Sequence, residues 1–254
     1  MKTVIALCII LVVAAQAVDW RKIQSKRNAI SRGLFQAVIL INPGRQNSIC
    51  GGSLIKNDKV LTAAHCCLGG TSFEIHLGTN NEKVVRSERT TVHEHYNQSS
   101  YANDICIIHL DEEVSGEGIA TIRLPSRSRC SATFEKRKAT VSGWGLTSKN
   151  ETTMKVELMH ADVIIMHSDF CRKIYEQFTA ETLCAASSSI ECFGDFAGQL
   201  TITESDGVET QVGIASHCPE PEEGGCGSRF LDVYTRITEY LGWIEKWAGI
   251  LLCP

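Results

Sequence analysis

Short apolar stretches separated by turn-forming residues run through most of the chain. Each stretch is only a few residues long, and turn-forming residues lie between the stretches, as at Asn42-Pro43-Gly44. This pattern predicts an all-β protein built as barrels or a sandwich, and periodicity alone does not choose between the two. The predicted strands are residues 36–41, 53–55, 60–63, 73–77, 105–110, 139–142, 161–166, 199–203, 211–216 and 233–236.

The C-terminal segment follows a different period. Its apolar residues recur three and four positions apart, which is the spacing of one helix face. The pattern predicts an amphipathic helix that packs on the second half of the chain and ends near Gly249, a residue type favoured just past a helix end. The face consists of Ile237, Leu241, Ile244 and Ala248, with Tyr240, Trp243 and Trp247 beside it.

A segment containing Pro125, residues 124–129, divides the chain near its middle. At 254 residues the chain is long enough for one large all-β domain or two small ones. Apolar residues make up 43% of it and charged residues 21%, a composition typical of a globular protein. Because the formal net charge is −4, no basic field favours nucleic acid or an anionic membrane as a partner.

The first residues have the pattern of an export signal. Met1 and Lys2 precede an apolar run over residues 4–15, and Ala15-Gln16-Ala17 has the A-x-A form of a cleavage site. We therefore expect a signal peptide over residues 1–17 and a mature chain that begins near Val18. A membrane anchor is the alternative, but the apolar run is too short to span a bilayer comfortably, so a secreted, extracellular protein is expected.

The cysteine content fits an oxidising compartment. The chain has twelve cysteines, and because Cys8 leaves with the signal, eleven remain and at least one lacks an intramolecular partner. Asn97-Gln98-Ser99 and Asn150-Glu151-Thr152 are N-glycosylation sequons, which are meaningful in an exported chain. We therefore expect a glycoprotein that carries glycans on Asn97 and Asn150.

Six short sequence motifs occur in order along nearly the whole mature chain. They are C-G-G-S-L-I at residues 50–55, L-T-A-A-H-C at 61–66, N-D-I at 103–105, G-W-G at 143–145, C-F-G-D-F-A-G-Q at 192–199 and D-V-Y-T-R at 232–236. Together they resemble the motifs of trypsin- and chymotrypsin-like serine proteases of the arthropod type. The resemblance implies two antiparallel six-stranded β-barrels and a C-terminal α-helix. The protease domain would cover residues 23–254, with barrel one over about 23–124 and barrel two over about 125–254.

The resemblance also assigns catalytic positions, and one of them is occupied by the wrong residue. In an active member a serine attacks the peptide carbonyl, a histidine takes its proton and an aspartate orients the imidazole. His65 and Asp104 match the last two roles, but Phe196 stands at the nucleophile position, and a phenyl ring has no nucleophilic atom. Gly194 and Asp195 remain from the oxyanion loop. We therefore expect a pseudoenzyme, in which His65 and Asp104 form a structural hydrogen-bonded pair.

The residues that would line the specificity pocket have changed as well. The floor of the pocket would be Ile190 or its neighbour Ser189, depending on the register, where trypsins have an aspartate. Ser216 is kept, but His217 and Cys218 follow it in place of tryptophan and glycine. Asp232 stands where the pocket wall usually has glycine, as it does in the collagenolytic, brachyurin-like branch. These changes predict altered or abolished docking of peptide substrates.

The activation sequence departs from the family in the same way. Residues 18–22 would be a short stub, and a cut between Lys22 and Ile23 would free an amino terminus that keeps the isoleucine. The residues that follow are Gln24-Ser25-Lys26 instead of V-G-G, so both glycines that ease the insertion of the new terminus are missing. A normal zymogen switch is therefore not expected.

Disulfide pairing is implied by the same resemblance. The framework bonds would be Cys50–Cys66, Cys171–Cys184 and Cys192–Cys226. Two further bonds are proposed, Cys67–Cys106 beside the histidine turn and Cys130–Cys253 between the linker and the C-terminal helix. Cys218 is left over, either as a free thiol or as an intermolecular link.

Three functions are compatible with these observations. The first is a secreted, non-catalytic homolog that binds a protein partner, such as a protease, a protease inhibitor or a receptor, and regulates a protease pathway. The second is a hydrolase with residual or non-serine-based proteolytic activity, acting through Cys218 or His65. The third is a structural or storage secretion. No cofactor is expected, and no metal either, because no second ligand at a fitting spacing accompanies His65.

Overall fold

Two antiparallel β-sheets form the molecule. The computed structural model describes residues 33–42, 48–78, 83–143, 159–175, 177–187, 198–217 and 231–252. Within these ranges the strands are β1 (Gln36–Ile41), β2 (Ser48–Lys56), β3 (Lys59–Thr62), β4 (Phe73–Leu77), β5 (Lys83–Ser87), β6 (Arg89–Val92), β7 (Cys106–His109), β8 (Lys138–Gly143), β9 (Met159–Ile165), β10 (Thr182–Ser187), β11 (Gln199–Thr203), β12 (Glu209–His217) and β13 (Asp232–Arg236). The helices are α1 (Ala64–Cys67), α2 (Ser168–Ile174) and α3 (Leu241–Ala248), with 3₁₀ turns at Arg127–Arg129 and Ile237–Tyr240.

The first sheet has seven described strands in the order β5-β4-β1-β2-β3-β7-β6. Its two outermost strands, β5 and β6, are separated along the chain by Glu88 alone. Because consecutive Cα atoms are about 3.8 Å apart, the two ends of this sheet must meet, and the sheet curls into a barrel. If β5 and β6 are taken as one bent strand, the sheet has the six strands that the resemblance implied.

The second sheet is a closed barrel of six strands in the order β10-β13-β12-β11-β8-β9. Its interior holds alternate residues of these strands, among them Val141, Val163, Leu183 and Val212, which are all buried. The small glycine of β12, Gly213, is needed here, because a Cβ at that position would lie 3.1 Å from the Cβ atoms of both Leu200 and Tyr234. The all-β, two-barrel fold with a C-terminal helix is confirmed.

The C-terminal helix packs on the first sheet, whereas the sequence pattern had suggested packing on the second half of the chain. Its buried residues Leu241, Ile244 and Ala248 belong to the core of the first sheet, together with Ile237 from the preceding 3₁₀ turn. The expected packing on the second half is therefore wrong. A helical period identifies which face is buried, but it carries no information about which surface covers that face. The helix ends as predicted, with Gly249 in the left-handed conformation (φ 62°).

One carboxylate joins this helix to the linker between the sheets. Glu245 of α3 accepts hydrogen bonds from the Nε and Nη2 groups of Arg127, which lies in the linker. The same carboxylate accepts the backbone N–H of Leu252 at 2.9 Å. Helix, linker and the following chain segment thus meet at Glu245.

Buried polar contacts connect the two sheets at their interface. The amide of Gln36 on β1 donates to the hydroxyl of Ser142 on β8. The hydroxyl of Ser53 on β2 donates to Oε1 of Gln211 on β12 at 2.6 Å. Buried polar groups need such partners, so these bonds fix the relative position of the sheets. No helix in the described ranges is long and apolar enough to cross a membrane.

Candidate functional site

Two disulfides hold the short helix that carries His65. Cys66 is bonded to Cys50 on β2, and Cys67 is bonded to Cys106 on β7. Both of these pairs were expected, and together they attach the C-terminal end of this one-turn helix to two different strands. The imidazole of His65 is therefore presented from an anchored backbone, with 25% of its side-chain surface exposed.

Asp104 lies just before β7, and its side chain has no solvent exposure. Its Oδ2 atom is 2.8 Å from Nδ1 of His65, and its Oδ1 atom accepts the backbone N–H of His65 at 2.9 Å. Because an ionised carboxylate only accepts hydrogen bonds, Nδ1 of His65 carries the proton and Nε2 is left as an acceptor. This is the tautomer that a general base requires.

The second barrel contributes two further hydrogen bonds to Asp104. The hydroxyl of Ser216 on β12 donates to Oδ2 at 2.6 Å, and the hydroxyl of Thr235 on β13 donates to the backbone carbonyl oxygen at 2.8 Å. The Asp104 carboxylate therefore accepts three hydrogen bonds, which compensate for its removal from water. Ser216 was predicted as a remnant of the specificity pocket, and in the structure its hydroxyl serves the aspartate.

An aromatic pair that sequence reasoning missed lies beside this site. The ring of Tyr101 stacks on His217, with centroids 4.8 Å apart and planes 19° from parallel, and it meets His65 edge-on at 6.2 Å. Tyr101 has a left-handed backbone (φ 54°), as does Asn103 (φ 57°). Tyr101 is close to the Asp104 motif in the sequence, which was a reason to consider it as a site residue. Nothing in the sequence indicated its left-handed backbone.

The environment of His217 disfavours its charged form. Burial lowers the pKa of His217 most, the nearby Asp104 carboxylate raises it, and His65 lowers it again. Its Nδ1 lies 3.3 Å from the hydroxyl oxygen of Ser216. Because the proton of that hydroxyl goes to Asp104, Nδ1 of His217 is the donor in this contact. His217, Ser216, Asp104 and His65 thus form one continuous chain of hydrogen bonds.

The charge of the same carboxylate also acts on a half-buried tyrosine, Tyr96. The hydroxyl of Tyr96 is buried and has no hydrogen-bond partner among the residues that the structure describes. Burial raises the pKa of this hydroxyl, and the charge of Asp104 raises it further. Tyr96 therefore remains a neutral phenol at physiological pH.

Two other predicted site residues, Asp232 and Asn97, lie in the part of the chain that the structure describes. Asp232 begins β13 opposite Ala185, and its Oδ2 lies 3.5 Å from the hydroxyl of Tyr234. Asn97 is exposed, and its Oδ1 accepts the backbone N–H of Ser99 at 2.9 Å in a turn beside Tyr101. Several predictions fall outside the described residues: Phe196, Gly194, Asp195, Ile190, Ser189, Cys192, Cys226, Cys218, Cys253, Asn150 and the Lys22–Ile23 bond.

The remaining described cysteines confirm one predicted disulfide and contradict another. Cys171 and Cys184 are bonded, which ties α2 to β10 as expected. Among the described residues Cys130 is an exposed, free cysteine, so the proposed Cys130–Cys253 bond is wrong in this structure. The physical link between the linker and the chain end is instead the Glu245 carboxylate, with Arg127 on one side and Leu252 on the other.

A metal site at the histidine turn is not supported by the chemistry of its donors. In the described part of the chain, one group of three residues, Cys50, His65 and Cys66, has its ligand atoms within 4.8 Å of one another. The two sulfur atoms are bonded to each other, so neither is the thiolate that a metal ion requires. The group offers a single imidazole as a ligand.

Comparisons with known proteins fit this geometry. The family model described as Trypsin matches residues 23–244. A protein named Collagenase from Hypoderma lineatum is 32% identical over 210 residues, which cover 80% of this chain and 77% of the relative. Brachyurin from Leptuca pugilator is 34% identical over 211 residues, with 79% and 88% covered. A solved structure of HL collagenase matches with a TM-score of 0.74 at 33% identity, covering 85% of this chain and 94% of that chain.

Proposed function

The chain belongs to the trypsin family, and we propose that it is a secreted member of this family that no longer cleaves peptide bonds and acts by binding another protein. The observation that carries the proposal is the contrast between two positions. His65 and Asp104 keep a hydrogen-bonded pair, whereas the position of the nucleophile in the sequence motif is taken by Phe196. Without a nucleophile for His65 to activate, the rate of peptide-bond cleavage is lower by several orders of magnitude.

The retained pair has a structural purpose that does not depend on catalysis. Asp104 is buried and accepts hydrogen bonds from His65 in barrel one and Ser216 in barrel two. Loss of Asp104 would leave these partly buried donors without an acceptor, at a cost of up to about 1–3 kcal/mol for each. The presence of the pair is therefore compatible with a protein that does not cleave its ligand.

The type of partner follows from family membership. A trypsin-family domain without its nucleophile suits recognition of a protease, a protease inhibitor or a receptor, and through it regulation of a protease pathway. The face around His65, Tyr101 and His217 is the part of the site that such a partner would contact. Secretion is supported by the signal-like residues 1–17 and by the three disulfides within the described ranges. The likeness to proteins from Hypoderma lineatum and Leptuca pugilator supports an arthropod type.

A residual hydrolase is the second candidate, and one observation favours it. Nδ1 of His65 is engaged by Asp104, so Nε2 is an available acceptor that can take a proton from an incoming nucleophile. Water or a thiol would have to supply the attacking atom. This activity would be weak, and inhibition by a thiol reagent would distinguish attack by Cys218 from attack by water.

The test compares the purified mature protein with its Phe196→Ser variant. Both are offered a broad peptide library and a fluorophosphonate probe that labels activated serines. The proposal expects no cleavage and no labelling by the wild type. Labelling of the variant would show that the pair of His65 and Asp104 is still competent to activate a serine. Cleavage of peptides by the wild type would contradict the proposal.

A further inference from the structure

A cleft lies beside the linker, between residues of both barrels. Ile55 of β2 lines it from the first barrel, and residues 204–206, which follow β11, line it from the second. Its volume is about 610 Å³, which is in the range of small-molecule binding sites. The candidate site around His65 contributes none of its described lining, so this cleft is a separate feature of the molecule.

Much of the cleft surface is apolar. The linker contributes the side chains of Ile122, Leu124 and Pro125, which are almost completely buried by their neighbours and lie beside Ile55. The segment after α3 contributes Leu251, which is 95% exposed. A hydrocarbon chain in the cleft would remove the surface of Leu251 and its apolar neighbours from water, which favours binding.

Hydrogen bonds hold the apolar part of the cleft in place. The backbone N–H of Ile122 donates to the carbonyl oxygen of Leu54 at 2.9 Å. The segment after α3 is fixed at Leu252, whose backbone N–H donates to Glu245 at 2.9 Å. The cleft is therefore formed before a ligand arrives, and binding does not first have to order its walls.

The remaining lining is charged, and its charges do not cancel. Arg123 binds both carboxylate oxygens of Asp206. Oε2 of Glu204 accepts hydrogen bonds from Arg129 at 3.3 Å and from Arg137 at 3.4 Å. Three guanidinium groups thus meet two carboxylates, so one positive charge in this cluster is uncompensated.

The guanidinium with the most unused hydrogen-bonding capacity is that of Arg129. Arg123 uses Nε and both Nη atoms, and Arg137 also donates to the carbonyl oxygen of Thr203 at 2.8 Å. Within the described ranges, Arg129 bonds through Nη2 alone, and 46% of its side chain is exposed. Since a guanidinium carries five N–H groups, Arg129 can donate to an anion in the cleft and still keep its contact with Glu204.

We propose that this cleft binds an amphipathic anion, with a hydrocarbon chain on the apolar lining and a carboxylate head group on Arg129. A medium-chain fatty acid has this chemistry. A small inorganic anion would leave the apolar lining uncovered, and a neutral lipid would not use the uncompensated charge. The cleft requires neither peptide-bond cleavage nor a protein partner, so the proposal is independent of the proposed function.

Isothermal titration calorimetry of the mature wild-type protein with decanoate tests the proposal. The titration is run at pH 7.5, below the critical micelle concentration of the ligand. We expect saturable binding of one decanoate per chain. The alcohol 1-decanol has the same chain without the charge and should bind about tenfold more weakly, because it forms no charge-assisted hydrogen bond. Absence of saturable decanoate binding, or equal affinity for the alcohol, would overturn the proposal.

Two exposed lining residues provide variants that leave the core untouched. Arg129→Gln should weaken decanoate binding by about tenfold and leave the binding of 1-decanol unchanged. Leu251→Asp places a carboxylate beside the ligand and should weaken decanoate binding by about the same factor. The matched controls are Arg172→Gln and Leu68→Asp, which alter exposed residues outside the cleft lining and should bind as the wild type does. Equal decanoate affinity of Arg129→Gln and Arg172→Gln would contradict the assigned position of the head group.

Analytical ultracentrifugation of the ligand-free protein decides whether a second copy of the chain covers the cleft instead. We expect the wild type and Leu251→Asp to sediment identically over a range of concentrations, which means that the cleft is open to the ligand. A wild-type dimer that Leu251→Asp dissociates would assign the cleft to the second copy and overturn the proposal. Neither measurement uses a protein partner, so a negative result leaves the proposed function as it stands.

Discussion

The hydroxyl oxygen of Ser216 lies 2.6 Å from Oδ2 of Asp104, so the second barrel supplies a hydrogen bond to a carboxylate that belongs to the first. His65, from the first barrel, binds the same oxygen from the other side. Asp104 thus connects the two barrels and is also part of the candidate site. Substitution of Ser216 should therefore change the free energy of unfolding.

Ser216→Ala should lower the free energy of unfolding by about 1–3 kcal/mol, because Asp104 then lacks one of the donors that compensate for its burial. The measurement is chemical denaturation at pH 7. Ser205→Ala is the matched control, since Ser205 is exposed and its substitution should change stability by less than about 0.5 kcal/mol. Equal effects of the two variants would mean that the Ser216 hydroxyl contributes nothing specific.

Removal of the Cys67–Cys106 bond should cost more stability than removal of the Cys171–Cys184 bond. The sequence separations are 39 and 13 residues, so the loop-entropy model gives about 4 and about 3 kcal/mol respectively. The paired Cys→Ala variants of each bond are compared with the wild type by denaturant unfolding. If loss of the shorter loop proves the more costly, then native-state packing around α2 outweighs chain entropy.

Two glycine-to-alanine changes should have effects of opposite sign. A Cβ on Gly52 would lie 2.7 Å from Cγ1 of Val60 and 2.8 Å from Cδ1 of Ile39, in the core of the first sheet. Gly52→Ala should therefore destabilise the protein by about 1–3 kcal/mol. Gly242 in α3 has open space around it, so Gly242→Ala should stabilise the protein by about 0.5–1 kcal/mol through helix propensity. Thermal unfolding of the two single variants measures both effects.

Stability should decrease as the pH falls through the range in which histidine titrates. Burial lowers the pKa of His93, which packs against Tyr240 and Trp243, and it also lowers the pKa of His109 and of His217. A histidine with a lowered pKa binds its proton more tightly in the unfolded chain. Such a histidine therefore does not change the free energy of unfolding above its unfolded pKa of about 6.5, and the protein loses stability as the pH falls below that value.

Unfolding free energies at pH 7.5, 6.5 and 5.5 test this expectation. His93→Gln should reduce the loss of stability between pH 7.5 and pH 5.5 relative to the wild type. A wild-type stability that is constant over this range would show that the folded and unfolded chains bind equal numbers of protons.

Much of the fold was predictable because strand residues repeat a local pattern. The strands at Gln36–Ile41, Phe73–Leu77 and Gln199–Thr203 have the bounds that their apolar residues indicated. The strand Thr182–Ser187 was missed, since T-L-C-A-A-S has neither alternation nor β-branched apolar residues. It forms because β9 and β13 offer backbone partners on both sides, which is a tertiary effect.

The candidate site was predictable only as far as its motifs extend. His65 and Asp104 meet as the family resemblance implied. The stack of Tyr101 on His217 depends on a left-handed backbone at Tyr101 and on the position of β12 in the second barrel. Neither follows from local sequence, because a tyrosine in that conformation is unfavourable in isolation and is selected by its surroundings.

The junction at Glu245 restricts how the two barrels can move. Arg127 lies in the segment that connects the barrels, and Leu252 follows the helix that packs on the first barrel; both are bound to one carboxylate. A hinge in this linker would have to break these hydrogen bonds, so the linker behaves as a fixed strap rather than a flexible joint.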